Sequence, residues 1–232
     1  MKFDDLKHRV YEANMELPRQ GVVIYNFGNV SAIDRNSGVV AIKPSGIMYD
    51  ELTPEDIVIL DLQGNVLEGR LKPSSDTKTH LVLYNHFPNI GGVVHTHSTY
   101  AVSWSQAGRS IPVYGTTHAD QTHLDVPCTE FMSDELIQGD YEEATGLQIV
   151  KAFESISHEE MQMVLVAGHG PFTWGATPEK AVFNAVVLES LAHMALLTEQ
   201  INPHVKRLKA SLIQKHYQRK HGTNAYYGQG TV

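Results

Sequence analysis

His95 and His97 bracket a single threonine at the end of an apolar run, in the segment GGVVHTHSTY. In an extended strand alternate side chains share a face, so imidazoles at i and i+2 point the same way and can grip one ion. The plainer reading of a histidine beside an apolar run is a hydrogen-bonded core residue, and a further ligand decides between the two. A second apolar run, MQMVLVA, leads into GHGPF and delivers His169 after another expected strand. His95, His97 and His169 together offer three nitrogen ligands and leave one metal position open for substrate. They are distant in sequence, so the set is a proposal about space; His169 as an ordinary glycine-turn residue stands as its alternative.

Three stretches upstream suit an anion. FGNVS sets Gly28 before Asn29, which lets the backbone approach a ligand closely. KPSG offers Lys43, then Ser45 and Gly46 in a tight turn, and PSSD places Ser74, Ser75 and Asp76 at the expected start of a helix, whose free N–H groups attract phosphate. Each stretch alone also reads as an ordinary cap or turn. Their recurrence ahead of the histidine strand points to a sugar phosphate. No GxxxxGKS or GxGxxG pattern occurs, which argues against a nucleotide.

These residues need a scaffold, and the chain alternates helix and strand. DDLKHRVYEANMEL carries a helical stripe of Leu6, Val10, Ala13 and Leu17 closed by Pro18. GVVIYNFGNVSAID and GVVAIK read as strands joined at RNSG. TPEDIVILDL reads as a capped turn and a strand, which QGN turns back toward VLEG. SSDTKTHLVLYNHF and STYAVSWSQAG read as helices flanking the GGVVHTH strand. TPEKAVFNAVVLESLAHMALLTEQ is a long helix with Pro178 in its first turn, and HVKRLKASLIQKHYQRKHG is a final basic helix. The pattern predicts an α/β single domain over residues 1–232 with a mostly antiparallel sheet, not a regular βαβ series.

The 232 residues are 42% hydrophobic, enough to bury one core. The longest apolar runs fall short of a bilayer span and MKFDDLKHRV lacks an apolar leader, so no membrane role is expected. The single cysteine, Cys128, excludes an internal disulfide and suits a reducing cytoplasm. Net charge of −8 argues against nucleic acid. From Gln200 onward there is no Asp or Glu and six Lys or Arg, a segment expected to dock on an acidic surface of its own protein.

GNVSA, KPSG, KPSSDTKTH, GGVVHTHS, GTTHAD, PCTEFM, GHGPFTWG and the KHYQRKHG…AYYGQ ending together resemble the L-ribulose-5-phosphate 4-epimerase family, within the zinc-dependent class II aldolase/epimerase superfamily. The resemblance runs nearly end to end. It implies a class II aldolase-like three-layer α/β/α domain with a central mixed, mostly antiparallel sheet. It also implies a cytoplasmic homotetramer with active sites between subunits, the C-terminal helix and tail (about 204–232) reaching a neighbour. Carried over by position, His95, His97 and His169 are ligands of one Zn2+ per subunit, with Asp76 beside the metal and Mn2+ or Co2+ as substitutes. Asn29, Lys43, Ser45, Gly46, Ser74 and Ser75 match phosphate-binding positions. Asp120 and Tyr227 match the catalytic acid/base pair, with Thr116, Glu142 and His216 nearby. Gln121 departs from the pattern, which has an aromatic there, and GTV extends past the usual end.

The implied substrate is a phosphorylated ketopentose, in L-arabinose catabolism, ascorbate catabolism or another pentose route. L-Ribulose 5-phosphate and D-xylulose 5-phosphate differ only at C4. The C2 carbonyl cannot delocalise charge from C4, so cleaving and remaking C3–C4 is the favoured route. A class II aldolase of the fuculose- or rhamnulose-phosphate type is the nearest alternative; there a glutamate commonly stands where this chain has Asp76. An adducin-like scaffold without the metal triad, an HxH hydrolase and a Cys128 nucleophile are weaker readings.

Overall fold

Val93 and Val94 are neighbours in the chain, yet they belong to different cores. Both lie in one strand of a seven-stranded sheet whose layers follow from that alternation. The structure, a computed structural model, describes residues 3–223, 225 and 226. Among them the strands are β1 (Gly28–Asp34), β2 (Val39–Ile42), β3 (Val58–Asp61), β4 (Val66–Glu68), β5 (Gly92–Thr96), β6 (Met163–Val166) and β7 (Gly170–Gly175). Their order across the sheet is β4-β3-β2-β1-β5-β7-β6. Every pairing between them is antiparallel. The parallel share of the expected mixed sheet reduces to an isolated bridge between Cys128 and Leu165.

Helices α1 (Asp4–Arg19) and α7 (Pro178–Ile201) cover one face, where Ala13, Leu17, Ala181 and Val182 meet Val30 and Val94. Helices α2 (Thr77–His86) and α6 (Tyr141–Ala152) cover the other, where Leu83, Tyr84 and Ile149 meet Val40 and Val93. The three layers of the sequence reading are present. Strands buried on both faces, such as VVAI and MVLV, carry no polar alternation. Shorter helices α3 (Thr99–Gln106), α4 (Thr116–Ala119) and α5 (Asp134–Gln138) join the layers, and α8 (Ala210–His221) packs Ile213 against Val113 and Ala119.

Local signals hold at several points. The α1 stripe buries Val10, Ala13 and Leu17, and the expected capped turn is a 3-10 turn, Pro54–Asp56, with a Thr53–Asp56 capping box. Elsewhere tertiary context overrides them. GVVIYNF does not extend β1; it turns at Tyr25, whose φ is +51°, and leaves Ile24, Tyr25 and Phe27 exposed. The final helix starts at Ala210, because residues 205–209 take no regular structure and the Leu208 amide bonds to the Val113 carbonyl. GPFTWG is a strand despite its glycines and proline, since β5 and β6 pair with it on both sides. The long helix α7 is apolar and long enough to cross a bilayer, contrary to the sequence expectation, but it is seated on the sheet as a core helix.

Candidate active site

The β5–β7 pairing explains how distant histidines meet. His95 lies within β5 and His97 one residue past its end, while His169 occupies the turn that opens β7. His95 is in register with Phe172, so that turn lies against the end of β5. Ring centroids are 4.8 Å apart for His95–His97, 4.7 Å for His95–His169 and 5.4 Å for His97–His169. One nitrogen from each lies within 4.8 Å of the others. His95 stacks on Phe172 at 4.3 Å and its Nδ1 is 3.0 Å from the Pro171 carbonyl. That oxygen can only accept, so Nδ1 carries the proton and Nε2 keeps its lone pair. Tyr141, at the start of α6, brings its hydroxyl 3.3 Å from His169 Nδ1.

Burial lowers the His97 imidazole and pushes His169 down to about 3. Both are therefore neutral near pH 7, the form that binds metal. Three imidazole nitrogens, one from a ring whose second nitrogen is held by a carbonyl, fit a divalent ion.

Asp76 stands at the N-terminal edge of α2 but does not cap it. Its carboxylate instead accepts from Asn29 Nδ2 at 2.7 Å and lies 3.4 Å from Ser74 Oγ. Burial raises this carboxyl, but His95, His80, Asn29 and His169 together bring it below the usual carboxylate range. A cap residue withheld from capping is a local preference given up for the site.

The two serine-bearing loops are stitched together. Ser45 N–H bonds to the Lys72 carbonyl, Ser74 N–H to the Lys43 carbonyl, and Pro44 bridges Pro73. Gly46 adopts φ +75°, as the tight turn requires. Lys43 is buried, its ammonium bonded to the Ile47 carbonyl and 5.0 Å above the Tyr49 ring, and burial brings its pKa down to about 8. A cavity of about 440 Å³ is lined by Asn29, Lys43, Ser45, Gly46, Ser74, Ser75, Asp76, Glu142 and the three histidines. Phe27 and Tyr141 also line it, and sequence reasoning missed both. Phe27 adjoins the quoted GNVS stretch, whereas only the docking of α6 on α2 brings Tyr141 in.

Asp120, Thr116 and His216 do not line that cavity. Asp120 follows α4 and binds the last helix instead: His216 Nδ1 at 2.9 Å, Arg219 Nη2 at 2.6 Å and Lys220 Nζ at 3.8 Å. Partial burial raises Asp120, and the Arg219 and His216 hydrogen bonds with the Lys220 charge more than reverse it. With Arg207 on Asp125, this is the docking expected of the basic segment. Gln121 lies next to Asp120 and faces a small cleft shared with Tyr217 and His221. Tyr227 and the GTV extension lie outside the described residues. Burial pushes the Cys128 thiol up to about 11, which leaves almost no thiolate for a nucleophilic role.

Residues 8–196 match the model of the Class II Aldolase and Adducin N-terminal domain family. L-ribulose-5-phosphate 4-epimerase UlaF of Salmonella paratyphi B is 51% identical over 224 residues, 97% of this chain and 98% of that protein. The protein of the same name from Salmonella typhi matches to the same extent. Among solved structures, an L-fuculose 1-phosphate aldolase superposes with TM-score 0.78 at 25% identity, over 93% of this chain and 95% of its own. YgbL of Klebsiella pneumoniae, a putative aldolase/epimerase/decarboxylase, shares the fold with TM-score 0.73 at 24% identity, over 91% of this chain and 97% of its own.

Proposed function

The chain belongs to the class II aldolase and adducin N-terminal domain family, and from that premise we propose that it interconverts L-ribulose 5-phosphate and D-xylulose 5-phosphate by breaking and remaking C3–C4. The observation that carries the reading is the end-to-end identity with curated 4-epimerases, met by a cavity that sets three histidines opposite a lysine and serine cluster. The class II aldolases of this family are metal-dependent; His95, His97 and His169 are the proposed ligands, with Asp76 beside them and zinc as the metal the donor set suits. When bound, the ion supplies a Lewis acid for the charge that C3 and the C2 oxygen carry after cleavage.

The chain's own residues do the rest. Lys43, Ser45, Ser74, Ser75 and the Gly46 backbone anchor the phosphate, so the aldehyde half can rotate without leaving. Asn29 holds the Asp76 carboxylate toward the imidazoles. Readdition to the opposite carbonyl face needs proton transfer at the C4 oxygen from two sides, and Asp120 and Tyr227 are assigned to it. Asp120 lies off its own chain's cavity, which supports a homotetramer whose sites are completed by a neighbour's Asp120, His216, Thr116 and tail. A cytoplasmic location accords with a lone cysteine.

The test is turnover of L-ribulose 5-phosphate by the purified chain, with and without chelator. D-xylulose 5-phosphate should form, without deuterium at C4 in heavy water, and the chelator should stop it. Accumulation of free glycolaldehyde phosphate would instead make it an aldolase, the reading favoured by the fuculose-phosphate aldolase likeness.

A further inference from the structure

Asp76, His80 and Tyr84 recur at intervals of four and so lie on one face of α2. That face meets Asn29 and Ser31 of β1, which share a side of the strand. The contacts form a line. Tyr84 Oη lies 2.8 Å from Ser31 Oγ, and Ser31 Oγ lies 2.7 Å from His80 Nδ1. All three side chains are wholly buried. Only one direction gives each hydroxyl proton an acceptor along this line: Tyr84 donates to Ser31, and Ser31 donates to His80 Nδ1. The ring proton of His80 then sits on Nε2, as a donor.

That donor has no hydrogen-bond partner among the described residues, and neither does the acceptor Asn29 Oδ1. Buried polar groups are seldom left so, and two complementary ones in one locality point to a shared partner. Both residues serve the same carboxylate. Asn29 donates to Asp76 through its amide nitrogen, and the Asp76 carboxylate lies close enough to act electrostatically on the His80 ring.

We propose that His80 is a positioning residue: its Nε2–H donates to one bound water, shared with Asn29 Oδ1, that in turn bonds to the Asp76 carboxylate and holds it toward His95, His97 and His169. The assignment rests on the functional reading above. Tyr84, Ser31 and His80 then form a relay that sets the tautomer, so a phenol deep in the core decides which imidazole nitrogen carries the proton facing the site.

Glutamine and asparagine separate this role from simple packing, because the amide nitrogen of Gln falls near Nε2 of histidine and that of Asn near Nδ1. The His80→Phe enzyme should lose about 10–100-fold in kcat with KM within about twofold and metal content unchanged, the range of losses seen when residues behind a metal site are removed. His80→Gln should recover most of that loss and His80→Asn should not. In an Asp76→Asn background, His80→Phe should cost nothing further. Rescue by Asn but not Gln, or additive losses, would overturn the proposal. A high-resolution crystal structure of the wild-type enzyme should show the water within hydrogen-bond distance of His80 Nε2 and Asn29 Oδ1; no such water would overturn it whatever the substrate. A wild-type chain inert toward L-ribulose 5-phosphate would sink the functional reading alone, with the water still deciding this one.

Discussion

Gly92 and Pro178 meet backbone to backbone: a Cβ added at Gly92 would lie 2.3 Å from the Pro178 Cα. The N-terminus of α7 rests on the strand that carries His95, and no side chain fits between them. Gly92→Ala should destabilise the fold by about 1–3 kcal/mol through overpacking. It should also weaken metal binding, because β5 must shift. Urea unfolding and a metal titration on the same variant check both, and an unchanged urea midpoint would contradict the close approach.

Removal of one imidazole tests the metal site. The His97→Ala protein should lose bound metal and activity together, since two nitrogens hold a divalent ion far less firmly than three. Elemental analysis beside turnover is the measurement. A metal-free variant with full turnover would refute the assignment of His97.

Lys43 gives the phosphate site a pH limit. Burial brings the free ammonium down to about 8. The charged form binds the phosphate, so KM for L-ribulose 5-phosphate should rise as pH passes above about 8, with kcat much less affected. Lys43→Met should raise KM at neutral pH and abolish the alkaline limb. A KM independent of pH up to 10 in the wild type would remove Lys43 from phosphate binding.

Asp120 separates proton transfer from metal binding. Asp120→Asn should cut turnover by about 10²–10⁴-fold with metal content unchanged. The same change weakens the pairs with Arg219 and Lys220, so α8 should become more susceptible to proteolysis. Mixing this variant with His97→Ala subunits should restore part of the activity if sites form between chains.

Acid should destabilise the fold through buried imidazoles away from neutral pH. Burial holds His80 down to about 3 and His118 down to about 4. Unfolded imidazoles take up protons below about 6.5. The unfolded state therefore binds more protons between that value and the folded ones, and stability falls as pH drops through that window. Near pH 5 the loss is about 2 kcal/mol for each histidine. Urea midpoints at pH 7 and pH 5 measure it, and His118→Gln should shrink the difference.

Much of the site was legible before any fold was known, for local reasons. The i and i+2 spacing put His95 and His97 on one face, Lys43, Ser45 and Gly46 form a turn of their own, and Ser74 to Asp76 precede a helix whose start the chain announces. The α1 stripe and the Thr53 capping box were readable for the same cause, since helical period and capping depend on residues three or four apart. GPFTWG was not readable as a strand, because its pairing energy comes from β5 and β6 and not from its own residues.

What the amino-acid order determined by itself is the donor set: which imidazoles, hydroxyls and carboxylates exist, and which of them share a short stretch. Tertiary structure alone decided that His169 meets β5, that Tyr141 touches it, that Asp76 turns away from its helix, and that Asp120 leaves its own cavity for α8. The reason is range. Strand period and turn chemistry act over a few residues, while a metal site joins segments through sheet register and helix docking, which the whole buried core sets at once.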